Sequence, residues 1–120
     1  MQFLLHGGLA TNVADAMVRQ GHHIHFAEEL SEANAPTASP EELLGEPSRR
    51  QWCLLTADRD FIHMVYDRRI TFSLCMVLLI AEPDQLGTSV DRLFDRYKRL
   101  SLKRLYTVTP GRVKVRQLPG

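Results

Sequence analysis

Long apolar runs are missing from this chain. The longest, Leu74 to Ala81, falls far short of the roughly 20 residues needed to cross a bilayer. No basic segment leads into an apolar stretch at the amino end, and Met1 to Leu5 is too short for a signal peptide. The expectation is a chain without a membrane span, at home in the cytoplasm. Cysteine is scarce as well. Cys53 and Cys75 are the only two, each at the start of an apolar run, where a small buried thiol is the ordinary explanation and a reduced state suits the cytoplasm. Internal repeats and low-complexity tracts are absent. With 120 residues, 44% of them hydrophobic and 24% charged, there is room for one core and hence a single domain over residues 1–120.

Net charge is also small, at +1, but it hides a polarity along the chain. Residues 1–48 hold one basic residue, Arg19, against seven acidic ones, whereas residues 86–120 hold nine basic residues against Asp91 and Asp95. An anionic partner for the carboxyl-terminal part is one explanation; solvated helix and strand faces are the other.

What the chain does have is alternation of short apolar runs with helical patterns. Gln2–Leu5 reads as a strand closed by Gly7-Gly8. Ala10–Gln20 reads as a helix with Val13, Ala14, Met17 and Val18 on one stripe and Gly21 as its stop. His23–Phe26 is a second strand, and 28–39 reads as a polar loop. Ser39-Pro40-Glu41-Glu42 opens a helix with a capping box, though Gly45 and Pro47 predict that it is short or kinked. Trp52–Thr56 is a third strand, Phe61–Arg68 a helix and Cys75–Ala81 a strand with no exposed face. Ser89–Leu100 follows as a helix with a core stripe of Val90, Leu93, Phe94, Tyr97 and Leu100. Leu105–Thr109, the turn at Pro110-Gly111 and Val113–Leu118 form a closing hairpin. The fold class is therefore α/β: a three-layer α/β/α sandwich on a mostly parallel central sheet, with right-handed crossovers and a carboxyl-terminal β-hairpin.

Several groups could carry chemistry. Thr56-Ala57-Asp58-Arg59-Asp60-Phe61 places two carboxylates where a buried strand ends and a helix begins, the position at which open α/β sheets bind ligands. Asp58 and Asp60 are either metal ligands or helix caps. His6 is either a ligand or a partly buried histidine bonded to Asp58. His23 and His25 share a strand face, and His63 lies three residues after Asp60; chance and a surface position are the plainer explanations for these. Gly7-Gly8 fits a tight turn as well as a phosphate-binding one. Arg112, Lys114 and Arg116 alternate along the last strand, while Arg92, Arg96, Arg99 and Lys103 recur along and just beyond the preceding helix. Together they could follow a nucleic-acid backbone, with Tyr97 and Tyr106 for stacking, or face solvent.

The order of these elements resembles the PIN-like domains of bacterial VapC-type toxins, in particular a small subgroup that begins Phe-Leu-Leu-Asp-Glu-Asn-Leu and ends in a Pro-Gly-Arg-Val-x-Val-Arg hairpin. The corresponding segments here are Phe3-Leu4-Leu5-His6-Gly7-Gly8-Leu9 and Pro110-Gly111-Arg112-Val113-Lys114-Val115-Arg116. Gly21-His22, Ser39-Pro40-Glu41-Glu42-Leu43-Leu44 and the Thr-x-Asp-x-Asp-Phe segment fall between them in matching order. The resemblance implies a Mg²⁺- or Mn²⁺-dependent endoribonuclease, the toxin of a toxin-antitoxin pair, with RNA as substrate, an antitoxin-like protein as partner and a homodimeric state. It implies Asp58, Asp60 and Glu42 as catalytic, metal-binding acids, with Glu41 as a less favoured substitute for Glu42, and His6 at the position of a further ligand; the spacing of the basic residues, apart from the resemblance, offers Arg112, Lys114, Arg116, Arg96 and Lys103 as nucleic-acid contacts. Hard divalent cations take oxygen ligands, so a histidine in place of the first-strand aspartate removes a charge that Mg²⁺ needs. A degenerate domain that binds RNA or protein is the alternative. A phosphoacceptor domain would want an acidic pair after the first strand, where Gly7-Gly8 stands.

Overall fold

The computed structural model describes residues 1–7, 9, 11–27 and 39–119. Six strands form one sheet: β1 (Gln2–His6), β2 (His23–Phe26), β3 (Cys53–Thr56), β4 (Met76–Leu79), β5 (Arg104–Thr109) and β6 (Arg112–Gln117), in the order β2-β1-β3-β4-β5-β6. All neighbours are parallel except the closing hairpin of β5 and β6, which is antiparallel. The helices are α1 (Thr11–Arg19), α2 (Pro40–Arg50), α3 (Arg59–Asp67) and α4 (Leu86–Arg96), the last preceded by a 3-10 turn over Pro83–Gln85. The expected α/β architecture and closing hairpin are present. The polar-loop reading of 28–39 lies outside the described residues except at Ser39, as does Gly8.

Side-chain alternation assigns each helix to a layer, because successive strand residues point to opposite faces. Phe3 meets the Phe94 ring of α4 at 6.1 Å, whereas His6 meets the Phe61 ring of α3 at 4.9 Å. Residues 3 and 6 are on opposite faces of β1, so α4 and α3 are too. Helices α1 and α4 pack on each other, and α2 lies beside α3. The central strands are buried on both faces: Leu4, Leu54, Met76 and Val77 are all fully inaccessible. Cys53 and Cys75 are buried free thiols, with the Cys75 thiol donating to Cys53 Sγ at 2.7 Å.

One expectation fails. The connections β3-α3-β4 and β4-α4-β5 step the same way across the sheet, yet their helices lie on opposite faces, so they cannot share a hand. The right-handed rule holds for about 98% of parallel crossovers; here the α1–α4 pairing breaks it. Locally, α2 runs to Arg50 with Pro47 buried inside it, and the Pro47 carbonyl accepts from both the Gln51 and Trp52 amides. The proline is absorbed because the helix is anchored at both ends. Helix α1 buries Val13, Ala16 and Met17, while Val18, expected on the stripe, is 60% exposed. Helix α4 begins and ends earlier than its apolar stripe suggests, since the 3-10 turn starts it at Leu86 and the chain becomes extended at Tyr97.

Candidate functional site

Two neighbouring places on the α3 face hold the residues singled out by sequence. The first is the rim at the carboxyl ends of β1 and β3. His6 pairs with Thr56 across these strands, and its Nδ1 lies 3.0 Å from Thr56 Oγ1. The same hydroxyl, fully buried, accepts the Asp58 amide at 3.0 Å. The Asp58 carboxylate then accepts the Phe61 amide at 3.2 Å and caps α3. Gly7 turns here with φ +93°, and a Cβ on it would stand 3.3 Å from Thr56 Oγ1 and 3.6 Å from the Asp58 Cβ, so a larger residue is strained and crowded. His6, Thr56 and Asp58 are thus joined through one hydroxyl.

The other expected ligands are placed differently. Asp60 is exposed in the first turn of α3. Glu42 is engaged in the capping box of α2, where Oε1 accepts from the Ser39 amide at 3.4 Å and its hydroxyl at 3.2 Å. Glu41 reaches Arg68, the C-cap of α3, at 3.4 Å; its pKa is lowered chiefly by a backbone hydrogen bond, with smaller contributions from Ser39 and then Arg68. The first turn of α2 therefore lies toward the end of α3 remote from Asp58. Among the described residues there is no group of three or more His, Cys, Asp or Glu side chains arranged to hold a metal ion. His6 and Asp58 come together; Asp60 and Glu42 do not join them in such a group. This donor set does not fit Mg²⁺ or Mn²⁺, which take several oxygen ligands.

The second place is a cleft of about 480 Å³ beside α3, above β4, β5 and β6. Strand register explains it. Leu105 pairs with Arg116 and Thr107 with Lys114, so these four share the α3 face, which α3 bridges as far as β6 only through Tyr66. Arg59 and His63 from α3 line the cleft opposite Lys114 and Arg116, and among the described residues no carboxylate lines it. The floor is aliphatic: Ile62, Leu78 and Leu105 are 5%, 6% and 1% exposed. The Arg116 guanidinium lies 4.2 Å from the centre of the Tyr66 ring, and the Tyr66 hydroxyl donates to the Gln117 carbonyl at 2.8 Å, locking the ring in place. Burial raises the Tyr66 pKa, so the phenol stays neutral at ordinary pH.

Of the proposed nucleic-acid contacts, Arg112, Lys114 and Arg116 share one face, as alternation predicts. Arg96 belongs to α4 on the other face and stacks over Tyr97 at 5.8 Å; Lys103 sits in the turn before β5 with φ 61°. Tyr106 is unavailable for stacking, being 2% exposed, edge-on to Tyr97 and bonded through its hydroxyl to the Ser101 amide. His25 stacks on Trp52 at 3.7 Å and bonds to Gln2, away from its neighbour His23 in role. Sequence reasoning missed Arg59 and Tyr66. Only their helical spacing with Ile62 and His63, which sets residues 59, 62, 63 and 66 on one stripe, could have signalled them.

The fold and this face define a mostly parallel α/β domain carrying a cationic cleft. No family model, curated protein or solved structure matches the chain.

Proposed function

We propose that this chain is a PIN-like domain that has lost metal-dependent catalysis at its acid rim and binds RNA through the α3 face of its closing hairpin. The order of motifs supports PIN-like ancestry, as do the mostly parallel sheet and the meeting of residues 6 and 58 at one rim. The carrying observation is the cleft, where Arg59, His63, Lys114 and Arg116 surround an aliphatic lining with no acid among the described residues that form it. Cations in a groove attract a phosphate backbone, and the adjoining Tyr66 supplies a planar surface.

The experiment measures binding of a single-stranded RNA oligonucleotide to the wild type and to Lys114→Glu and Arg116→Glu. Each variant is expected to weaken binding about tenfold, roughly 1.4 kcal/mol. Unaltered affinity in both would sink the reading. A ribonuclease toxin with an antitoxin-like partner is the second reading, favoured by the position of Asp58 at the exit of β3 beside His6. It requires Mn²⁺- or Mg²⁺-dependent RNA cleavage that disappears in Asp58→Asn, a change that keeps the helix cap. The degenerate domain leaves the RNA intact.

A further inference from the structure

A backbone-binding surface needs only cations, yet this cleft has more. Its volume of about 480 Å³ lies within the range of small-molecule sites, roughly 300–1,000 Å³. Its apolar lining is the half-buried Ile80 together with the buried Ile62, Leu78 and Leu105, side chains that offer nothing to a phosphate; Ile80, Thr107 and Tyr66 are the ones that keep surface open to a flat ring. The Tyr66 ring with Arg116 stacked on it forms one wall, fixed by the bond to Gln117. Thr107 and His63 bring a hydroxyl and an imidazole to the lining, and Arg59 and Lys114 bring positive charge from α3 and β6. Hydrophobic floor, aromatic wall, a few polar groups and cations without carboxylates are the complement of one base joined to one phosphate.

We propose that the cleft is a mononucleotide pocket: it takes a single unpaired base of an RNA strand against Ile80, Thr107 and the Tyr66 wall while Arg59 and Lys114 hold the adjoining phosphate. This rests on the RNA-binding reading and narrows it. The domain then selects single-stranded over fully paired RNA, because a base inside a duplex cannot reach the floor. A free nucleoside monophosphate carries the same two recognition elements and competes for the site.

The test is a competition titration in which labelled single-stranded RNA is displaced by adenosine 5′-monophosphate, adenosine or inorganic phosphate, on the wild type, Thr107→Phe and Arg59→Ala. Thr107→Phe fills the cleft floor, and an unchanged melting temperature shows that it folds; Arg59→Ala alters an exposed side chain. The expected result is full displacement by the monophosphate, at least tenfold weaker displacement by adenosine or phosphate alone, and loss of monophosphate affinity in both variants. RNA binding that the monophosphate does not disturb overturns the pocket and leaves the RNA-binding reading standing. Phosphate competing as well as the monophosphate also overturns it, reducing the cleft to an anion site. Monophosphate binding without RNA binding overturns the RNA reading and makes the cleft a site for free nucleotides.

Discussion

At the scale of single residues, a side chain's partners show which of its possible roles is already occupied. Asp58 is the N-cap of α3 and Glu42 an acid in the first turn of α2, and the same residue types serve as caps or as metal ligands. Each is found capping: Asp58 holds the Phe61 amide and Glu42 holds Ser39. The capping box was legible in Ser39-Pro40-Glu41-Glu42; its consequence, that Glu42 is already engaged, was not, because spacing does not say how far α2 lies from the rim. His22 allows a prediction. Its ring lies between Phe3 and Phe94, at 5.3 and 4.3 Å, and burial followed by the nearby amino terminus lowers its pKa below 6.5, against the opposing effect of a backbone bond to Met1. Above about pH 6.5 both folded and unfolded chains leave it neutral, and its contribution to stability is constant. As pH falls below that value the unfolded chain takes up a proton first, so stability drops until the lowered folded pKa is reached. Urea unfolding between pH 7.5 and 5 should show this decline, and His22→Leu should flatten it.

Elements were the most legible scale. Alternation and helical spacing gave every strand and helix to within a few residues, because burial on a period of two or of 3.6 leaves a direct trace in the order of apolar side chains. The layer of α4 left no such trace. Its stripe of Val90, Leu93 and Phe94 would pack on either face of the sheet, and crossover handedness is a statistical preference that this connection overrides. Contact with α1 supplies the reason. A Cβ on Gly87 would lie 2.8 Å from the Asn12 carbonyl oxygen and 3.2 Å from its Cβ, so the two helices approach as closely as a missing side chain permits. Asn12 also bonds to the Pro83 carbonyl at 3.2 Å, tying the start of α4 to α1. Glycine to alanine inside a helix ordinarily stabilises by about 1 kcal/mol. Here Gly87→Ala should instead destabilise by about 1–3 kcal/mol, the usual range for overpacking. Denaturant midpoints compared with an exposed control on the same helix, such as Thr88→Ala, measure it. A stabilised Gly87→Ala would mean that the helices are not in close contact.

For the whole molecule, the uneven charge along the chain acquires a place. The basic carboxyl-terminal residues spread over both faces, with Arg96 on α4, Lys114 and Arg116 lining the cleft and Arg112 on the same face of β6. Counting charges could not separate these groups; the period of β6 could separate the second. The salt dependence of RNA affinity follows from the number of phosphates neutralised. With about 4 cations engaged on the cleft face, the slope of log K against log salt should be near −3 for a single strand, at about −0.7 per phosphate. A slope close to zero would indicate that binding is not electrostatic. Lys114→Glu, which removes one phosphate contact, should make the slope shallower by about 0.7.

The position of β6 carries one more consequence. Among the described residues β6 pairs with β5 alone, and apart from the Gln117 carbonyl, which accepts from Tyr66, an edge of this kind is a template for a strand of another molecule. Charged side chains on an edge strand are a general device against such pairing, and Arg112, Lys114 and Arg116 stand at every second position of β6. Alanine at those positions would remove both this device and the attraction for phosphate, and confound lost binding with clumping. Glutamate reverses the attraction and keeps the edge charged, which makes it the sounder substitution for this hairpin.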